Sequence, residues 1–321
     1  MKCSPLLFPA ELIMICPEGN TMIKGGLMMS RKKKRILILL FVLAAALVIY
    51  VGASLWISYN LLTVEDYTVT LGREGKELKV VVIGDLHDHE FGEENQELAE
   101  KISEIEPDLI LMDGDMLNSD SESARVPVTL IQKLKDVAPV YYALGNHEED
   151  YIARGNEGLI QELTDAGAVV LDQEYADLEA GGVEIRLGGL YAYAFGTDPK
   201  SGYNEADDAP ADVREFLEEF QDTDRVKIMM SHRPDSFIFG DTSQVWDVDL
   251  VVSAHDHGGQ VVVPFLGGLY GGDQGWFPDY VHGMYQKDKI QLFITTGLGT
   301  NKKVLPRFNN PPEIAVLHIT V

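Results

Sequence analysis

From residue 64 to the end of the chain, the hydrophobic pattern changes period repeatedly. Residues 78–83, 109–112, 140–144, 226–230 and 249–253 are short runs dominated by aliphatic and aromatic side chains, the pattern of strands buried on both faces. Between them, residues 93–105, 126–135, 157–166 and 213–220 bring apolar side chains round every three or four positions, which predicts amphipathic helices. Residues 64–71 alternate, with Tyr67, Val69 and Leu71 on one face. Residues 168–171, 183–190, 290–295 and 314–321 add further strands, and the polar, acidic stretch 198–212 reads as a loop. Strands alternating with helices define an α/β fold.

One segment breaks this pattern. Residues 36–58 are strongly apolar, and no charged residue lies between Arg35 and Glu65. A run of that length crosses a bilayer core of ~30 Å as a helix. The cluster Arg31-Lys32-Lys33-Lys34-Arg35 stands directly before it. Cationic flanks stay cytoplasmic, so the downstream chain is expected outside the cytoplasm. Trp56 and Tyr59 fall where an outer interfacial belt would be. The run is too long for a signal-peptide core, and Ala53-Ser54-Leu55 is a poor cleavage site. The helix is therefore expected to remain as a single-pass anchor in the cell membrane. The chain then divides into an extension with its basic flank (1–35), the anchor (36–58) and one large domain (59–321). Lys24-Gly25-Gly26 before Met28-Met29 suits a ribosome-binding site in the coding strand. That places the expected start of translation at Met28 or Met29 and leaves 1–27 untranslated.

Charge narrows the partners. The 321 residues carry a formal charge of −25, and the part beyond residue 58, with 19 basic and 49 acidic residues, carries −30. Such a surface lacks the attraction on which nucleic-acid binding rests, so none is expected. No protein partner is indicated. Cys3 and Cys16 both precede the apolar run, so the large domain has neither a disulfide nor a thiolate ligand.

The candidate chemistry sits where the buried runs end. Gly84-Asp85-Leu86-His87, Gly114-Asp115-Met116-Leu117-Asn118, Gly145-Asn146-His147-Glu148, Ser231-His232 and Ala254-His255-Asp256-His257-Gly258-Gly259 each follow one strand. Ligands of α/β sheets gather at the carboxyl ends of strands, so these segments are expected on one rim. Asp85 and His87 are two apart and need a turn to aim both side chains inward; His255 and His257 share that spacing. Asp115 has two oxygens with which to bridge cations, and Asn146 offers a neutral carbonyl oxygen. Nitrogen and oxygen ligands without thiolate suit manganese, iron or zinc. Two adjacent cations of that kind are suited to attack on phosphorus. His89 and His318 stand outside the pattern as surface or packing residues, and His282 is left open.

In the order and spacing of Asp85-x-His87, Gly114-Asp115, Gly145-Asn146-His147-Glu148, His232 and His255-x-His257, the chain resembles the calcineurin-like metallophosphoesterases. The resemblance implies a four-layer α/β/β/α sandwich with a two-metal site. It implies one divalent cation on Asp85, His87, Asp115 and His257, and a second on Asp115, Asn146, His232 and His255. It also implies that His147 contacts the phosphate and protonates the leaving oxygen. The tail is similar to a membrane-anchored bacterial subgroup of phosphodiesterases and UDP-2,3-diacylglucosamine hydrolases. The similarity lies in Leu269-Tyr270, Gln274-Gly275-Trp276-Phe277-Pro278, Gly297-Leu298-Gly299 and Arg307-Phe308-Asn309-Asn310-Pro311-Pro312-Glu313-Ile314. Two departures stand out. Asp256 replaces the Thr of the subgroup's Gly-His-Thr-His and is expected to add charge at the rim, and Asn118 stands where many relatives have Asp.

The expected activity is hydrolysis of phosphate esters, diesters foremost, by a metal-bound hydroxide, on cell-surface or lipid-linked substrates. Cleavage of a nucleotide-sugar lipid pyrophosphate is the alternative, opposed by the outward topology because such substrates are made in the cytoplasm. A membrane scaffold with a relic site is a third reading, opposed by the intact ligand set. Arg307 is a candidate phosphate clamp, since guanidinium matches phosphate oxygens bidentately, and Arg233 is left open. Trp276, Phe277 and Tyr280 are expected to pack in the core, or else to wall the apolar part of a substrate.

Overall fold

The computed structural model describes residues 6–8, 11–13, 30–72, 75–191, 206, 209–238, 240–272, 274–301 and 305–321. It divides into two units, Met1–Ala53 and Ser54–Val321. In the first, β1 (Leu6–Phe8) and β2 (Glu11–Ile13) form an antiparallel pair. Most of 1–27, and most of the loop expected at 198–212, lies outside the described residues. Helix α1 (Arg31–Asn60) begins in the first unit and ends in the second, and its most apolar stretch has a mean hydropathy of 3.0. It overruns the expected 36–58 at both ends, because Lys and Arg are good helix formers and nothing breaks the helix before Asn60.

The second unit is built on two six-stranded sheets. The first runs, in spatial order, β3 (Thr63–Thr70), β18 (Glu313–Thr320), β4 (Glu77–Ile83), β5 (Leu109–Asp113), β6 (Val140–Ala143) and β7 (Val169–Leu171). β18 is antiparallel to β4, and β4 through β7 are parallel. The second runs β16 (Gly283–Lys287), β17 (Ile290–Ile294), β11 (Leu250–Ser253), β10 (Val226–Met230), β9 (Val183–Gly189) and β8 (Glu174–Ala180). Its four inner strands are parallel, with antiparallel strands at both edges.

Alternation along each strand sorts the layers. Val81, Ile83, Ile110, Met112 and Tyr142 pack under α2 (Gln96–Ile105), α3 (Arg125–Leu134) and α5 (Leu159–Ala166). Their neighbours Val80, Val82, Leu109, Leu111 and Tyr141 face the other way and meet Ile185, Leu187, Ile228, Met230, Leu250 and Val252 between the sheets. Met229, Val251, Leu292 and Ile294 point outward again, to α6 (Ala211–Gln221) and α7 (Asp235–Ile238). The result is the four-layer helix–sheet–sheet–helix sandwich. Strands buried on both faces explain the near-continuous hydrophobic runs.

Several elements were not legible. β8 is half exposed, and its turn Gly181-Gly182, with φ of 57° and 75°, is a hairpin signal that short-range reading passes over. Helix α4 (Asn146–Ala153) starts on the third motif itself, and α8 (Thr242–Val245) is a single turn. Two small hairpins follow the fifth motif: β12 (Val262–Val263) with β13 (Gly267–Gly268), and β14 (Tyr270–Gly271) with β15 (Gly275–Trp276).

Candidate metal centre

The five motifs meet at the carboxyl ends of β4, β5, β6, β10 and β11. The turns that aim their side chains inward are strained. Asp85, His87, Asp115, His255 and His257 all have φ between 47° and 70°, in the left-handed region that non-glycine residues rarely occupy. Such conformations cost about 1–3 kcal/mol each and persist only where the surroundings over-determine them. Cross-strand backbone bonds do this: Asp85 N–H donates to Gly114 O at 3.0 Å and His87 N–H to Asp115 O at 3.0 Å. Gly145 must be glycine, since a Cβ there would stand 2.3 Å from Asp115 Oδ1.

Three groups of side chains have ligand atoms within 4.8 Å of one another: Asp85, His87 and His257; Asp115, His232 and His255; and His87, Asp115 and His147. His232 Nε2 lies 3.3 Å from Asp115 Oδ2 and 3.8 Å from Asp85 Oδ1. The Nε2 atoms of His87 and His257 are 3.3 Å apart. Asn146 Oδ1, both oxygens of Asp85 and His232 Nε2 are buried without a hydrogen-bond partner. Buried, unpaired donors converging at this spacing are what a divalent cation would satisfy, so the residues present fit the metals.

The other ring nitrogens decide which histidines can be ligands. His232 Nδ1 donates to Asp113 O at 2.6 Å, and His257 Nδ1 donates to Gly299 O at 3.2 Å. Asn118 Nδ2 donates to His87 O and Asp88 Oδ2, which turns Oδ1 toward His87 Nδ1 at 3.2 Å. Each of these rings thus aims Nε2, not Nδ1, at the site, where a cation would take it as ligand. His147 is the opposite case. Its Nδ1 accepts the Ser119 N–H at 2.9 Å, so in the neutral ring Nε2 carries the hydrogen. Asn301 Nδ2 lies 3.2 Å from that nitrogen, and the Nε2–H form requires the amide to present its oxygen there instead. His147 is equipped to donate, not to ligate.

Burial holds His87 at about 4 and puts His255 and His257 well below the usual imidazole range, so these rings are neutral. Burial also pushes Asp85 well above the carboxylate range, with Asp115 adding to the effect, and raises Asp113 to about 7. For His232, burial opposes the charge, but Asp115, Asp85 and Asp113 outweigh it and raise the ring to about 10, so Nε2 holds a proton that a bound cation would displace. The site is an excess of buried carboxylate, which a cation would compensate.

Two supporting residues went unassigned in the sequence. Glu148 is fully buried and accepts the N–H groups of Asp115, Met116 and Gly145 at 2.7–2.9 Å, together with the Tyr142 hydroxyl. It holds the Gly114-Asp115 turn against the start of α4. Its signal was available: an acid three residues after Gly145, at the head of a helix, is half of a capping box. Asp113, the last residue of β5, is buried with both oxygens unpaired, and nothing in its local sequence marks it.

Three expectations are corrected. Arg307 does not clamp phosphate. It is fully buried, and its guanidinium donates to Asn310 O, Gly299 O, Gly297 O, Pro311 O and Thr296 Oγ1 at 2.7–3.2 Å. Asp256 is not a rim charge: it is 1% exposed, with Oδ1 accepting Gly272 N–H and Oδ2 accepting Gln274 Nε2–H, both at 2.7 Å. Trp276 and Phe277 are not core residues, each being 61% exposed, whereas Tyr280 is partly buried and stacks on Tyr285. Asn118 has a clear supporting role despite replacing Asp. Of the remaining open residues, Arg233 is buried, and its charge acts on Asp235, His255 and Asp256. His282 bonds with Tyr67 and Glu313, His318 bridges Asp66 and Glu77 at the surface, and His89 packs edge-on against Phe91.

The family model for calcineurin-like phosphoesterases matches residues 78–259, more than half of the chain, and the chain belongs to that family. It is 27% identical over 260 residues to an uncharacterized metallophosphoesterase of Campylobacter jejuni, covering 80% of this chain and 63% of that protein. The chain thus spans under two thirds of that relative. It is 27% identical over 259 residues to the uncharacterized metallophosphoesterase YkuE of Bacillus subtilis (79% of this chain, 82% of that one). It is 25% identical over 221 residues to the phosphodiesterase YaeI of Escherichia coli (67% and 72%). Among solved structures, a 5′-nucleotidase precursor from Thermus thermophilus aligns at 15% identity and TM-score 0.42, over 76% of this chain and 54% of that one.

Proposed function

We propose that the protein hydrolyses phosphate esters, diesters in preference to monoesters, at a pair of divalent cations of the manganese, iron or zinc type. The observation that carries this reading is the division of labour among the histidines. His87, His232 and His257 turn Nε2 inward, while His147 presents an Nε2–H. In this reading Asp85, His87, Asp115 and His257 hold one cation, and Asp115, Asn146, His232 and His255 hold the other. Bound there, the cations would supply Lewis acidity and an activated water. His147 donates from Nε2 to the phosphoryl or leaving oxygen. Because Nδ1 accepts the Ser119 N–H, full proton transfer from this ring requires that contact to open. A diesterase is consistent with the name of the E. coli relative. The basic cluster before α1 supports a single-pass membrane protein with this site outside the cytoplasm, acting on lipid-linked or cell-surface phosphate esters.

The test is the full-length chain in detergent with Mn²⁺, assayed on bis(p-nitrophenyl) phosphate and p-nitrophenyl phosphate beside Asp115→Asn. Metal-dependent diester cleavage that the variant lacks is expected. Monoester cleavage alone would replace the diesterase with a phosphatase, and no cleavage by a metal-loaded protein would end the general hydrolase reading. His147→Gln, which keeps an N–H donor, should retain more activity than His147→Ala. Equal loss in both would point to obligatory proton transfer.

A further inference from the structure

Large apolar side chains are exposed on the two hairpins that follow the fifth motif. Phe265 is fully exposed at the β12–β13 tip, with Leu266 at 69%, and Trp276 and Phe277 at 61% stand at the end of β14–β15. Phe265 and Phe277 also occupy the left-handed region, with φ of 69° and 56°, which is costly for bulky residues. The hairpins share Leu269, whose N–H donates to Val261 O at 2.9 Å beside β12 and whose O accepts Phe277 N–H at 2.9 Å beside β15. No Asp, Glu, Lys or Arg lies between Asp256 and Asp273, in a chain of net charge −25.

These tips are tied to the last turns of α1, which belong to the same unit. Asn309 makes the link. Its N–H donates to Ser54 Oγ at 3.0 Å, and its Nδ2 donates to Val262 O at 3.3 Å. Asn310 N–H donates to Ser58 Oγ at 3.1 Å, Arg307 N–H to Tyr59 OH at 3.1 Å, and Val262 N–H to Phe308 O at 2.9 Å. Ser54 and Ser58, one helical turn apart, are both buried against this segment, while Trp56 is 62% exposed. The end of the apolar helix and the base of the apolar hairpin are therefore fastened to one short stretch of chain.

We infer that the tip Phe265-Leu266, with Trp276 and Phe277 beside it, is a second membrane contact that dips into the outer interface of the bilayer that α1 crosses. This rests on the anchored reading above. Aromatic and aliphatic side chains partition into that interface, and the acidic remainder of the surface is repelled by anionic headgroups. Trp276 stacks edge-on against Tyr270 at 5.3 Å, and Tyr270 and Gly272 line the opening to Asp115, Asn146 and His147. The contact thus sets the metal centre next to headgroup phosphate, and the substrate class becomes phosphate esters presented at a membrane surface.

The test uses the full-length chain carrying Cys3→Ser and Cys16→Ser, with one added cysteine labelled by the fluorophore NBD. The positions are Tyr50→Cys in the anchor, Phe265→Cys at the tip and Glu174→Cys on the exposed edge strand β8. Each protein is reconstituted into phosphatidylcholine vesicles with and without doxyl-labelled lipid. Quenching at 50 and 265, with none at 174, is expected. Quenching at 50 with 265 behaving like 174 overturns the hairpin contact and leaves the anchor standing. Quenching at 265 without 50 keeps the contact and removes the anchor, and quenching at neither removes both. Leu266→Cys gives the same reading if the Phe265 variant does not fold.

Discussion

The first sheet sends Asp85, His87, Asp115, Asn146 and His147 to the site from the ends of β4, β5 and β6; the second sends His232, His255 and His257 from β10 and β11. Every oxygen donor belongs to the first sheet, and the second gives imidazole alone. Neither set makes a metal site without the other, so the core between the sheets holds the ligand geometry as well as the fold. The supports differ in sign as well. On the first sheet a buried carboxylate, Glu148, gathers three backbone N–H groups. In the tail, a buried guanidinium, Arg307, gathers four backbone carbonyls. Buried loops carry unpaired backbone groups of both kinds, and one charged side chain on each flank satisfies several at once.

Breaking the junction itself should have the largest effect. Asp115→Asn weakens the carboxylate that faces His232, His87 and His147. Phosphoesterase activity is expected to fall about 10³-fold or more, with reduced metal by elemental analysis and an unchanged circular dichroism spectrum. Removing the tail's support comes next. Arg307→Met leaves four carbonyls without their donor and should cost about 3 kcal/mol or more in denaturant unfolding. KM of the folded fraction should not change; a raised KM at full stability would restore Arg307 as a phosphate clamp. Glu148→Gln opposes an amide N–H to backbone donors, and should cost about 1–3 kcal/mol and weaken metal binding about 10–100-fold. A loss smaller than that for Arg307→Met is expected, because the amide keeps one acceptor.

The smallest effect lies away from the junction. His318 is raised above its ordinary pKa by hydrogen bonds to Asp66 and Glu77. A raised imidazole stabilises the fold while it is charged, so the contribution is complete below pH ~6 and fades as pH rises through the folded value. His318→Gln should lose about 0.2–0.5 kcal/mol at pH 5.5 and nearly nothing at pH 9. An equal loss at both would mean the pairing carries no charge effect.

Much of this was legible because it is local. The runs at 78–83, 109–112, 140–144, 226–230 and 249–253 all became strands, and each delivered its motif to one rim. Burial on both faces needs an unbroken hydrophobic run, and a ligand needs a turn after it. The tail was less legible. The same Trp276-Phe277 string serves a core or a surface equally well, and only packing decides. Asp256 and Arg307 were misplaced for a related reason. Charged residues read as exposed unless a partner is visible, and their partners Gly272, Gln274, Gly297 and Gly299 come from other loops.

The sequence by itself determined the α/β class, the identities of the seven candidate ligands and of His147, the acidic surface and the long apolar helix, since each follows from residue type and short-range period. The tertiary structure alone decided which nitrogen of each histidine faces the site, that Glu148 and Arg307 hold the loops, that Asp256 is buried, and that Phe265 and Trp276 are exposed. Those properties depend on groups brought together from distant parts of the chain, such as Asp113 with His232 or Ser54 with Asn309, and no local pattern encodes them.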